Sequence, residues 1–176
     1  GRLTEETLRL LANPAAALPP QTVSYANFIA WQRDWMAGPE AASSLAYWRQ
    51  RLAGPLPVLD LPLDRPRQRR PGQGAAAIAF AIPRLRLDAL RDLARQCHSS
   101  LAHLLLAAFQ VLLARHAGQS DILTGIPVAA RPRPEYQEVI GYFSNQLAIR
   151  GDLSANPPFR SFAGQVDARV QEARTH

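Results

Sequence analysis

Four histidines, at positions 98, 103, 116 and 176, and one cysteine, Cys97, are the side chains best suited to general acid, general base or nucleophilic work near neutral pH. A thiolate paired with an imidazole makes an acyl-accepting nucleophile. Cys97 and His98 are adjacent, however, and adjacent residues on an element point in different directions. The pair reads as a buried cysteine and a surface histidine at a helix junction. His103 falls on the less apolar stripe of an apolar helix, where a hydrogen-bonded histidine at a packing boundary is expected. His116 stands in a last helical turn, where partial positive charge suits the helix dipole, and His176 is terminal. The strings H-E-x-x-H, G-x-S-x-G, G-x-x-x-x-G-K-[ST] and G-x-G-x-x-G are all absent, so metal, triad and nucleotide chemistry find no foothold. A single cysteine offers neither a disulfide framework nor a cysteine pair for zinc.

The elements that must position these residues are marked by period and punctuation. Residues 3–11 form a short amphipathic helix with acidic residues in its first turn, broken by prolines at 14, 19 and 20. Ser24 caps a second helix with Phe28, Ile29, Trp31 and Trp35 at helical spacing. A third follows Gly38-Pro39, carries Leu45, Trp48 and Leu52 on one face, and stops at Gly54-Pro55; the two pack as a hairpin. The proline- and arginine-rich stretch 55–73 is a connector. Period-two alternation of Ile78, Phe80 and Ile82 with alanines predicts a strand ending at Pro83.

Helices are predicted next from about Leu87 to Cys97, and from a Ser99 or Ser100 cap to Ala117. Leucines leave only the His103, Ala107, Gln110, Ala114 stripe of the longer one less apolar, so it is expected to be buried nearly all round. Gly118 suits a helix stop, and Asp121–Val128, apolar with little alternation, reads as a central strand. A loop at 131–134, a short strand from Asn145 to Arg150 and an amphipathic helix from Pro157-Pro158 complete the pattern. That last helix is still in register at His176, which reads as a cut rather than a finished end. Alternating helices and strands, with few strands, give an incomplete α/β class.

Of the 176 residues, 47% are apolar, enough for a real core. The net charge of +6 comes from 20 basic residues, all arginine, a skew that beside heavy alanine and proline use resembles GC-rich codon bias. The densest run, Arg65, Arg67, Arg69 and Arg70, is interrupted by prolines and has no aromatics to stack on bases; it reads as a solvated linker rather than a nucleic-acid patch. No apolar run spans a bilayer and the first residues show no signal-peptide pattern, so the expectation is a soluble chain in a reducing, cytoplasmic setting, with neither nucleic acid nor membrane as partner.

Five ordered strings carry a resemblance. Tyr25-Ala-Asn-Phe-Ile-Ala-Trp31 with Gln32-Arg33 resembles Y-x-D-Y-A-x-W-Q-R of nonribosomal peptide synthetase condensation domains. The segment 45–54 is similar to the helix that follows, and Leu59–Pro66 to the L-x-L-P-x-D-x-P connector. Asp121–Arg131 resembles D-I-x-x-G-x-P-x-x-x-R, and Ile140–Arg150 resembles I-G-x-F-V-N-T-L-x-x-R, with Ser144 and Gln146 where the family usually has Val and Thr.

The resemblance implies a chloramphenicol acetyltransferase-like lobe, a mixed sheet flanked by helices, here incomplete. Residues 1–73 would be the helical segment and connector joining two lobes, and 74–176 a truncated C-terminal lobe. It implies amide formation between a donor thioester and an acceptor amine, both carried on phosphopantetheine of peptidyl carrier proteins, with no cofactor bound to the domain itself. The implied partners are those carriers, the N-terminal lobe of the same domain and neighbouring synthetase domains. The family's H-H-x-x-x-D-G motif precedes all the strings quoted and is not among these residues, so no catalytic residue is assigned here and these residues alone are expected not to condense substrates. Asn145 is the candidate polar group of the substrate tunnel or lobe interface, with Gly141 and Phe143 shaping its turn and Arg131 and Arg150 bracing the loop. Two other readings stay open: a non-catalytic module recruiting a carrier protein or a tailoring enzyme, and an ester-forming or cyclising variant.

Overall fold

The computed structural model describes residues 2–18, 20–64 and 76–176. Contacts divide the chain into two compact units that interleave along the sequence: Gly1–Ala53 with Pro127–Gln146 and His176, and Gly54–Ile126 with Leu147–Thr175. The arginine run at 65–70 and the boundary at residues 73 and 74 lie outside the described residues.

The first unit contains α1 (Arg2–Ala12), α2 (Tyr25–Met36) and α3 (Pro39–Arg51). Ser24 caps α2 in a reciprocal box, its side chain accepting from the Asn27 amide while the Asn27 side chain accepts from the Ser24 amide. Gly38 and Pro39 then start α3 at once, which turns the chain into the expected α2–α3 hairpin. The inward residue of α2 is Phe28, 4% exposed, packed with Tyr136, Val139 and Phe143, while Val23, Tyr25 and Trp31 close around it. Ile29 of the predicted set faces out. Tyr136 reaches this core from a short 3-10 turn, Pro134–Tyr136, inside the predicted loop.

The second unit contains α4 (Arg84–Gln96), α5 (Leu101–Ala117) and α6 (Phe159–Thr175). Ser100 accepts from the His103 amide to cap α5, and Gly118 ends it in the left-handed conformation at φ 64°, where a side chain would be strained. Phe162, Ala163, Val166, Val170 and Ala173 of α6 are buried. α5 corrects the expectation of all-round burial: its buried residues are Leu104, Ala107, Gln110 and Leu113, whereas Leu105, Phe109 and Leu112 are exposed. The stripe containing Ala107 and Gln110 is the one turned inward, because small and polar side chains let the helix approach α6 and the strands closely.

The strands β1 (Asp121–Ala129) and β2 (Ser144–Asp152) pair as a two-stranded sheet among the described residues. The Leu153 amide donates to the Ser120 carbonyl and the Ala130 amide to the Phe143 carbonyl, so the ladder is antiparallel and bounded at both ends. β1 is not the evenly buried central strand its sequence predicted; burial alternates, with Ile122 and Thr124 inside. The predicted strand at 77–82 is also absent: those residues are irregular, with Ile78 89% and Phe80 85% exposed. Alternation suits a strand, but a strand forms only where backbone groups find a ladder partner, and the described residues supply none there. The extended segment before Asp64 is held instead by Gln119, whose side-chain oxygen accepts from the Asp60 amide and whose nitrogen donates to the Val58 carbonyl. Among the described residues, no single helix is long and apolar enough to cross a membrane.

Candidate functional site

Four of the five candidate residues, Arg131, Gly141, Phe143 and Asn145, lie in the first unit, on the segment that joins the strands and at the start of β2. Arg131 crosses the inside of this turn, donating to the carbonyls of Tyr136 and Val139 while its guanidinium lies over the Phe143 ring, 4.0 Å from the centroid. Phe143 is buried against Phe28 at 4.6 Å between centroids. Gly141 sits against the Tyr25 ring: a Cβ there would overlap Tyr25 Cδ2. Two residues past Phe143, Asn145 is the second residue of β2, with its side chain exposed. Its oxygen accepts from the Gln146 amide at 2.8 Å, and its NH2 group has no protein partner among the described residues. Arg131, Gly141 and Phe143 thus meet around one turn, and Asn145 emerges from it.

Arg150 does something different. Its guanidinium grips Asp121 through two nitrogens, with Nε 2.9 Å from Oδ1 and Nη2 2.6 Å from Oδ2, and its carbonyl accepts from Arg169. The Asp121 hydrogen bond holds the Arg150 guanidinium above its ordinary pKa, so this arginine stays charged and ties β2 to β1. Bracing of the 131 loop falls to Arg131.

A sequence model described as the condensation domain matches residues 8–176. The chain belongs to the condensation-domain family. A linear gramicidin synthase of Brevibacillus parabrevis is 44% identical over 95% of the chain, and phosphinothricin tripeptide synthetase PhsC of Streptomyces viridochromogenes 40% over 90%. The chain spans 2% and 14% of those two proteins. Among solved structures it resembles SgcC5 of Streptomyces globisporus, with TM-score 0.80 at 29% identity, covering 99% of this chain and 40% of that one. It also resembles the teicoplanin-biosynthesis X-domain solved in complex with OxyB, with TM-score 0.82 at 26% identity over 94% of this chain and 37% of that one. The fold is the chloramphenicol acetyltransferase-like α/β fold that the motifs implied.

Within the condensation-domain frame, the departures Ser144 and Gln146 are both exposed, so Ser in place of Val and Gln in place of Thr cost no core packing. The histidines divide as their neighbourhoods predicted. Cys97 is buried and His98 exposed. His176 stacks on Tyr47 at 4.1 Å between ring centroids. His103, on the α5 face toward α6, meets Asp167, with Nδ1 2.6 Å from Oδ1; the Ser99 hydroxyl donates to the same oxygen at 2.9 Å. Burial pushes the Asp167 carboxyl up, but the hydrogen bonds from His103 and Ser99 outweigh it and leave the group below the usual aspartate range. The aspartate stands between Ser99 and the His103 ring, and no bond between a serine hydroxyl and a histidine ring nitrogen is present among the described residues, so this cluster is not the arrangement of an activated serine. Sequence reasoning found His103 but not Asp167, because the two are 64 positions apart and lie on different helices.

Proposed function

We propose that the chain contributes to a condensation domain that joins a donor acyl thioester to an acceptor amine, each on the phosphopantetheine arm of a peptidyl carrier protein. In this reading residues 1–73 are the segment and connector joining the lobes, and 74–176 belong to the C-terminal lobe. The amine nitrogen attacks the thioester carbonyl, the carbon–sulfur bond breaks, and the amine proton leaves as the thiol is released. The histidine that holds or deprotonates the amine would come from the H-H-x-x-x-D-G motif that the family places ahead of these residues. Carrier proteins and neighbouring synthetase domains are the partners this chemistry requires.

The observation that carries the reading is the Asn145 NH2 group, which has no partner among the described residues and is presented near the start of β2 by a turn that Arg131 and Tyr25 hold in place. Such a donor suits a substrate carbonyl, and a preorganised donor aimed at a developing oxyanion is worth on the order of a hundredfold to a thousandfold in acyl transfer. In the intact domain with loaded carriers, Asn145→Ala should lower the rate of amide formation at least about tenfold. An unchanged rate would remove Asn145 from the site.

Two alternatives have support of their own. The similar X-domain was solved in complex with OxyB, which favours a recruiting module, and the similar SgcC5 was solved with a diol, which favours an alcohol acceptor and an ester product. Mass spectrometry of products from loaded carriers separates the three: amide, ester, or carrier binding with neither.

A further inference from the structure

We infer that Tyr25 is a positioning residue: it clasps the 140–143 turn with its ring and hydroxyl and thereby sets where the Asn145 amide points. Tyr25 itself is well anchored, being the first residue of α2, directly after the first member of the Ser24–Asn27 capping box. Its hydroxyl donates to the Tyr142 carbonyl at 2.9 Å. Its ring stands edge-on to Phe143 at 5.3 Å and 85°, a favoured aromatic geometry.

Gly141 shows how tight the clasp is. Only Gly54 and Gly118 among the described glycines have positive φ, so the Gly141 backbone is one that other residues also adopt. What excludes a side chain there is the Tyr25 ring, with three of its carbons within 2.8 Å of the Cβ position. The turn is therefore gripped by Tyr25 at 141–143 and by Arg131 at 136, 139 and 143. The Phe143 carbonyl then accepts from the Ala130 amide, which fixes the start of the β1–β2 ladder, and Asn145 follows two residues on. Phe143 is itself part of the clasp, edge-on to the Tyr25 ring, so a change at Tyr25 that moves Phe143 also moves the ladder's first bond and Asn145 two residues on.

The inference rests on the reading of Asn145 as a substrate-facing donor, and its test separates the two. In the intact condensation domain, side-chain amide resonances of Asn145 are followed by NMR alongside single-turnover amide formation with loaded carriers. Tyr25→Phe removes one hydrogen bond and should move the Asn145 resonances, lowering the rate about threefold to tenfold with half-saturating carrier concentrations unchanged. Gly141→Ala should lower it about tenfold or more, and Tyr25→Leu in the same chain should restore part of that loss by making room. The double variant Tyr25→Phe, Asn145→Ala should be no slower than Asn145→Ala alone, because the tyrosine acts through the asparagine. Unmoved Asn145 resonances in both Tyr25→Phe and Gly141→Ala would overturn the clasp whatever the rates. Moved resonances with Asn145→Ala at full rate would uphold the clasp and sink the substrate role of Asn145.

Discussion

Gln110 is wholly buried on α5, and its amide nitrogen donates to the Thr124 hydroxyl and the Ile149 carbonyl. Its oxygen has no partner among the described residues, and a Cβ on Gly151 would lie 2.5 Å from it. The close approach explains why residue 151 has no side chain, and the orphan oxygen gives back part of what the two donated bonds contribute. Thr124 keeps its own bond to the Ile149 carbonyl at 3.2 Å if the amide is removed. Gln110→Met should therefore change unfolding free energy by less than about 1.5 kcal/mol. Gln110→Ala, which leaves a cavity between helix and strands, should cost about 2 to 5 kcal/mol by analogy with other large-to-alanine core changes. Chemical denaturation of the three proteins checks both, and a Met variant as damaged as the Ala variant would show that the amide bonds outweigh packing at this position.

At the scale of elements, α5 and α6 are joined by the Ser99–Asp167–His103 cluster as well as by apolar packing. Asp167 has a folded-state pKa below its ordinary 3.8. A depressed carboxylate contributes stability that is fully present above the unfolded value and is lost as pH falls through the folded one. The expected loss thus begins below about pH 4 and deepens on further acidification. Asp167→Asn should remove that contribution at neutral pH and flatten the acid limb of the stability curve over the range below about pH 4. Urea unfolding of both proteins across that range measures it; parallel acid limbs would mean that the carboxylate is not the group responsible. The strand pair carries a second tie, Arg150 with Asp121, but it is partly exposed and better understood as fixing register than as a store of stability.

The whole molecule presents apolar surface that an isolated globular domain seldom shows. Leu105, Phe109 and Leu112 recur at i, i+4 and i+7 on one face of α5 and are between 39% and 51% exposed. Surface of this kind binds apolar dyes and limits solubility. Replacing Phe109 and Leu112 by Glu in these 176 residues should lower dye fluorescence and raise solubility without changing the helical circular dichroism. Dye binding unaffected by the pair of substitutions would place the sticky surface elsewhere.

Local signals were legible in the sequence because their physics acts within a few residues. The Ser24 and Ser100 caps, the Gly38-Pro39 start and the Gly118 stop depend on hydrogen bonds or φ angles that neighbouring residues satisfy, and each lies where it was expected. The five family strings were legible for a different reason, being fixed residue types in fixed order, and the matched family spans them. What the sequence could not decide was which face of an element turns inward and which distant residues meet. α5 turned its mixed stripe toward α6 because close approach favoured Ala107 over leucine, and 77–82 stayed irregular for want of a described ladder partner. His103 found Asp167 64 positions away, and Tyr25 found the Tyr142 carbonyl 117 positions away. Those pairings depend on how helices and turns pack in three dimensions, and no local pattern of residues encodes them.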